Sequence, residues 1–185
     1  MHPRTRELLD YLDAQREVLR SAFGRVPQRL RDLQPSPDRW SPAGIVEHLS
    51  IVEERVSGRL AARIREARRD GLETELETLP IIPALEMDWV TDRTRRIKTP
   101  ESAAPTGLGA EPAWAALERG GAAVREILRQ SDGLTLGRIS LPHPVFGDFS
   151  LYQWFAFIGA HEARHAAQID EVATQLARDT FVVGP

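Results

Sequence analysis

Residues 159–170, GAHEARHAAQID, hold His161, Glu162 and His165 in the spacing H-E-x-x-H. On a helix this string puts two imidazoles on one face with a glutamate between them, as in zinc metallopeptidases, where the glutamate is the general base. A peptidase of that kind needs a third ligand further along the chain. Where a glycine would turn the chain and a third histidine would follow, this sequence has Gln168 and Glu171. Without the glycine the helix continues, and Glu171 falls about 240° beyond His165, away from the pair. Only fourteen residues follow Glu171, too few for a further ligand-bearing helix. The peptidase reading fails, and the two histidines need another explanation.

His161 and His165 differ by about 40° around a helix, and Trp154, Ile158, Ile169 and Val172 share their side. Both imidazoles therefore point into a core, as metal ligands or as hydrogen-bonded core histidines. Three histidines remain. His2 is at the terminus. His143, in LPHPVFGDFS, reads as a turn residue that could close over a metal mouth rather than as a fourth ligand. His48 stands beside Ile45, Leu49 and Val52, on or near the inward stripe of another helix. The depths of His48 and of the pair along their helices match only if the helices are offset. Three neutral imidazoles from two helices would make a facial site with positions left for water or substrate, suited to Zn²⁺, Ni²⁺ or Fe²⁺. Such a centre lowers the pKa of a bound water from about 15.7 towards 7, or holds a thiol as thiolate.

Four carboxylate or amide side chains are candidates for supporting roles. Glu162 lies about 100° from His161, as a base, a partner to an imidazole, or a surface partner of nearby arginines. Gln168, on the ligand side, could orient an imidazole through its free N–H or pack at the core edge. Glu47 and Glu53 flank the His48 stripe. Tyr152, Trp154 and Trp40 read as core or as the lining of an apolar pocket, and the arginine run RIREARRD as a solvated helix end.

Composition narrows the setting. The chain has 185 residues, 42% hydrophobic and 28% charged, with a net charge of -3, which suits one globular domain over 1–185 and gives no basic footprint for nucleic acid or an anionic membrane. It has no cysteine, which excludes disulfides, a thiolate nucleophile and a cysteine-based zinc site. The N-terminus is too charged for a signal peptide and no apolar run reaches spanning length, so the expected setting is the cytoplasm.

Four stretches carry helical periodicity. The first runs from about Arg4 to Phe23, closed by Gly24, with a short turn from Pro27 through Leu33. The second starts at WSPAGIVEHL, where Ser41 suits the N-cap and Pro42 the first helical position, and stops at Gly71. The third runs from about Glu111 to Gln130, weakened by Gly120-Gly121. The fourth begins after Ser150 and runs to about Ala177. No stretch alternates long enough to predict a strand. The expectation is an all-α four-helix bundle. A link over 72–110 is long enough to run back along the second helix, roughly 40 Å, which predicts an up-down-down-up order. LPIIPALEMDWV within it is expected to lay a short helix over one end of the bundle.

RWSPAGIVEHL, followed by HPVFGDFSLYQWFAFIGAHEARHAAQI, closely resembles the DinB-like (DinB/YfiT) superfamily. The resemblance covers most of the chain. It is specific in the Trp40-Ser41…His48-Leu49 and His161…His165…Gln168-Ile169 blocks, and weak across 72–110. It implies a four-helix bundle, often a homodimer, with a divalent metal held by three histidines; position by position these are His48, His161 and His165. It also implies a metal-dependent transferase or hydrolase acting on a small molecule, in some relatives with a low-molecular-weight thiol such as bacillithiol or mycothiol. The alternative is a non-catalytic metal- or ligand-binding bundle of the stress response. A narrow pocket beside an open coordination position would favour the enzyme, and a metal enclosed by protein the binder.

Overall fold

A computed structural model describes the backbone of residues 1–182 and the side chains of residues 1–179. Its helices are α1 (Pro3–Arg25), α2 (Pro42–Arg69), a single turn α3 (Asp88–Thr91), α4 (Ala110–Gln130) and α5 (Leu151–Val182). The starts follow local chemistry. Ser41 Oγ accepts the Gly44 N–H at 3.0 Å with Pro42 in the first turn of α2. At α5, Ser150 and Gln153 cap each other: the Ser150 N–H donates to Gln153 Oε1 and the Gln153 N–H to Ser150 Oγ. Gly71, at φ 81°, follows α2 in the left-handed region that stops a helix. Gly24 does not close α1, which continues to Arg25 and ends at the extended Val26. The fourth predicted helix also runs beyond Ala177, to Val182.

Two strands were not expected. β1 (Ser140–His143) and β2 (Gly147–Ser150) form an antiparallel hairpin with Leu141 opposite Phe149. Each has four residues and β1 contains a proline, so no alternation long enough to read exists in the sequence. Contacts from the helices fix the hairpin: Trp154 Nε1 donates to Leu141 O and Arg59 to Pro142 O, both at 2.7 Å.

The order is up-down-down-up. Tyr11 meets Gly159, Arg16 bonds Glu162 and Arg25 pairs with Asp170, so numbering rises together and α1 is parallel to α5. Glu53 against Gly120 and Arg68 bonded to Gln130 make α2 parallel to α4. Phe23 on Trp114 and Arg125 on Asp13 run α1 against α4, and His48 near His161 with Arg59 over Trp154 runs α2 against α5. The link from 72 to 109 makes this possible by returning along the bundle. It leaves α2 beside Gly133 and Thr135, passes Glu7, which accepts the N–H groups of Ile81 and Ile82, and reaches Glu47 near the start of α2. LPIIPALEMDWV forms a 3-10 turn and α3, whose Val90 is buried against the core.

The core is two apolar clusters, one around Leu8, Leu60 and Trp154, the other around Leu19, Leu49 and Ile169. Between them lies a charged layer, in which Arg16 donates to Glu162 at 2.9 Å and to Glu53 at 2.8 Å, all three buried. The Gly120-Gly121 pair makes room for it: a Cβ on Gly121 would sit 2.6 Å from Arg16 Nη2. No helix among the described residues is long and apolar enough to cross a membrane.

Candidate metal centre

α2 supplies His48 and α5 supplies His161 and His165. The helices are offset, as matching depths required: α5 starts beside Arg59, because the hairpin covers the last turns of α2. His165 Nε2 lies 3.0 Å and His48 Nε2 3.4 Å from His161 Nε2. Ligand atoms of all three fall within 4.8 Å of one another. Two imidazole nitrogens bound to one ion at about 2.0–2.1 Å are about 2.9 Å apart in cis octahedral and about 3.3 Å apart in tetrahedral geometry, so these separations need little change to hold a divalent ion.

The outer nitrogens fix the tautomers. His48 Nδ1 lies 2.7 Å from Ala103 O and His165 Nδ1 lies 2.8 Å from Gln168 Oε1, oxygens that only accept, so both Nδ1 atoms carry hydrogen. Both Nε2 atoms then present lone pairs towards His161 Nε2, where one proton cannot satisfy every nitrogen. A shared cation can. Outer-edge hydrogen bonds of this kind orient metal-binding histidines. Burial pushes His161 and His165 well below the ordinary histidine range, reinforced for His161 by the charges of His165 and His48 and for His165 by that of His48; burial also lowers His48. The rings are thus held neutral, the form that ligates.

Ala103 is in the long link, and Glu47 holds that link in place. Its carboxylate accepts from the Thr106 hydroxyl and from the N–H groups of Thr106, Gly107 and Leu108 at 2.7–3.0 Å. Burial would raise Glu47, but these donors keep it below the usual carboxylate range. Trp40 packs on the His48 ring, centroids 5.0 Å apart. Arg164, between the two histidines in sequence, donates to Val90 O, Asp92 O and Arg95 O, tying the link to α5.

Of the candidates, Gln168 reaches a ring nitrogen. Glu162 does not: it points to the other side of α5, buried against Arg16, and is neither a surface residue nor a partner of an imidazole. Glu53 is likewise spent on Arg16. Glu171 pairs with Arg93, outside the cluster. His143 stands outside it too, though it is more than a turn residue. Its ring packs on Phe146, Trp154 and Phe157, and its Nδ1 accepts the Val145 and Phe146 N–H groups. Burial, aided by the Arg59 charge, lowers its pKa to about 4. Tyr152 turns from the site to donate to Glu75. Sequence reasoning missed Ala103 and Arg164, since a backbone carbonyl carries no sequence signal and Arg164 reads as a surface charge.

All three histidines line a cavity of about 340 Å³, walled by Val56, Val90, Phe146, Trp154 and Phe157. The model of the DinB superfamily matches residues 11–169, which contain the whole cluster. The chain belongs to the DinB superfamily. The chain is also similar to an uncharacterized protein, YuaE, of Bacillus subtilis, 28% identical over 175 residues that cover 90% of this chain and 96% of YuaE. The crystal structure of TT2238, described as a four-helix bundle protein, superposes with a TM-score of 0.57 at 19% identity, covering 90% of this chain and 98% of that one. That likeness establishes the four-helix bundle.

Proposed function

We propose that the protein is a metal-dependent enzyme acting on a small molecule, with His48, His161 and His165 as the metal ligands. The observation that carries this reading is that the three histidines line a cavity of about 340 Å³ instead of closing on one another in a sealed core. That volume is in the range of about 300–1,000 Å³ typical of small-molecule sites. A divalent ion held by these three histidines would supply Lewis-acid chemistry, making a water or thiol beside it more acidic. The chain does the rest. Ala103 O and Gln168 fix two rings, Glu47 holds the link that carries Ala103, and Phe157, Trp154 and Phe146 keep water from one side of the site. With no cysteine in the chain, a sulfur nucleophile has to arrive as a cosubstrate, so thiol transfer with bacillithiol or mycothiol and metal-assisted hydrolysis are the reactions to test. A bundle that only stored metal would have no need for this cavity.

The test is metal analysis of untagged protein, then loading with Zn²⁺, Ni²⁺ or Fe²⁺ and a screen for thiol transfer and hydrolysis. Turnover should follow metal occupancy and vanish in His161→Ala, with no casein cleavage. Stoichiometric metal binding without turnover of any substrate would favour the binder.

A further inference from the structure

The charges around the cavity are one-sided. The chain carries 27 acidic and 24 basic residues, yet the described residues lining the cavity include Arg55, Arg59, Lys98 and Arg164 and no aspartate or glutamate. None of these four cations has a carboxylate within 4.0 Å among the described residues. Arg164 donates to backbone carbonyls and is partly balanced by the charges of Asp92 and Glu171, while Arg59 donates to Pro142 O and lies over the Trp154 ring. Arg55 and Lys98 have no partner among the described residues. An adjoining cleft beyond Ile97 is also rich in arginine, but there Arg39 and Arg93 face Glu171, so its charge is partly balanced.

Spacing places the charges relative to the histidines. Arg55 is seven residues beyond His48 on α2, two turns or about 10 Å along the helix, and Val52 and Val56 line the cavity over that stretch. Between His48 and Arg55 the α2 side of the cavity is therefore apolar. Three neutral imidazoles would also leave the charge of a bound divalent ion uncompensated, and no lining carboxylate offsets it. An uncompensated charge held away from water is costly, and a ligand of opposite sign relieves that cost.

We propose that the cavity binds a small amphipathic organic anion, its apolar body against Val56, Phe146, Trp154 and Phe157 and its carboxylate or phosphate on Arg55 and Lys98, with the other end at the three histidines. This rests on the metal-enzyme reading for what happens at that end, but the binding itself does not require the metal.

The experiment is calorimetric titration of metal-free and zinc-loaded protein with four probes of one shape: phenylbutyrate, phenylpropyl phosphate, phenylbutanol and phenylbutylamine. At least one anion should bind about tenfold more tightly than the alcohol, as two exposed charge-assisted contacts allow, with the amine weakest; the tighter of the two anions identifies the headgroup. The preference should be present without metal, should weaken between about 0.05 and 0.5 M salt as charges are screened, and should disappear in Arg55→Gln/Lys98→Gln, whose side chains are exposed. Equal binding of alcohol and anions, a preference that survives the double substitution, or no binding of any probe would each overturn the proposal. A preference seen only with zinc and kept in the double variant would put the anion on the metal, sinking the proposal while supporting the metal site. Failure to load zinc would sink the metal reading and leave the metal-free titration decisive here.

Discussion

Replacing Arg16 by methionine keeps a long apolar stem and removes every donor that the charged layer depends on. Arg16 is 4% exposed, Glu53 2% and Glu162 0%, so water cannot take over from the guanidinium. Removing one partner of a buried ion pair costs about 3–5 kcal/mol, because the other is left charged and unpaired. The pH dependence identifies the cause. Burial first, and then the charge of Glu162, hold the Glu53 carboxyl well above the usual range, while in the unfolded chain a glutamate titrates at about 4.3. A folded pKa above the unfolded one gives a stabilisation that is complete below about pH 4.3 and is lost as pH rises towards the folded value. Without Arg16 the carboxylate pair must retain a further proton, so the deficit of the variant should grow by about 1.4 kcal/mol per pH unit. It should be near 1 kcal/mol at about pH 5 and reach the full 3–5 kcal/mol by about pH 8. Urea unfolding with chelator present, at intervals over that range, measures it. Adding Glu53→Gln and Glu162→Gln should remove the slope. A deficit equal at both ends of the range would mean that Arg16 acts by packing, and the electrostatic reasoning would be wrong.

Metal content, measured by elemental analysis at neutral pH, should collapse in His48→Ala, His161→Ala and His165→Ala and persist in His143→Ala; full occupancy in His48→Ala would remove it from the ligand set. The pH response of the metal follows from the lowered histidines. In the folded protein they stay neutral through the unfolded value of about 6.5, so the chelator-sensitive part of the melting temperature should hold from about pH 8 to 6.5 and fall only below that. Over that lower range the metal-free protein should also lose stability, because its unfolded chain takes up protons that the folded histidines refuse. A metal increment already fading above about pH 7 would contradict this. Two glycines make a matched pair: Gly121→Ala should destabilise, since its Cβ would lie 2.6 Å from Arg16, whereas Gly58→Ala meets nothing within 4 Å and should gain about 0.5–1 kcal/mol from helix propensity. Thermal melts giving the same sign for both would refute the packing argument.

Helices, their starts and the pairing of His161 with His165 were legible in the chain because each depends on residues at most a few positions apart. Ser41 caps a helix whatever that helix later packs against, and residues four apart share a face in any helix. The bundle and its up-down-down-up order followed from four amphipathic stretches and one long link. His48 could be placed on an inward face, but its meeting with the pair needed the offset between α2 and α5, which the hairpin sets. The neighbours of the site were out of reach for the same reason. Glu162 adjoins a ligand candidate in sequence and still serves Arg16, 146 positions away. Glu47 adjoins His48 and instead holds backbone about 60 positions on. Ala103 orients His48 through a carbonyl that every residue possesses. A side chain on a helix edge can turn either way, and which way it turns depends on the charge and the backbone groups that distant segments bring beside it.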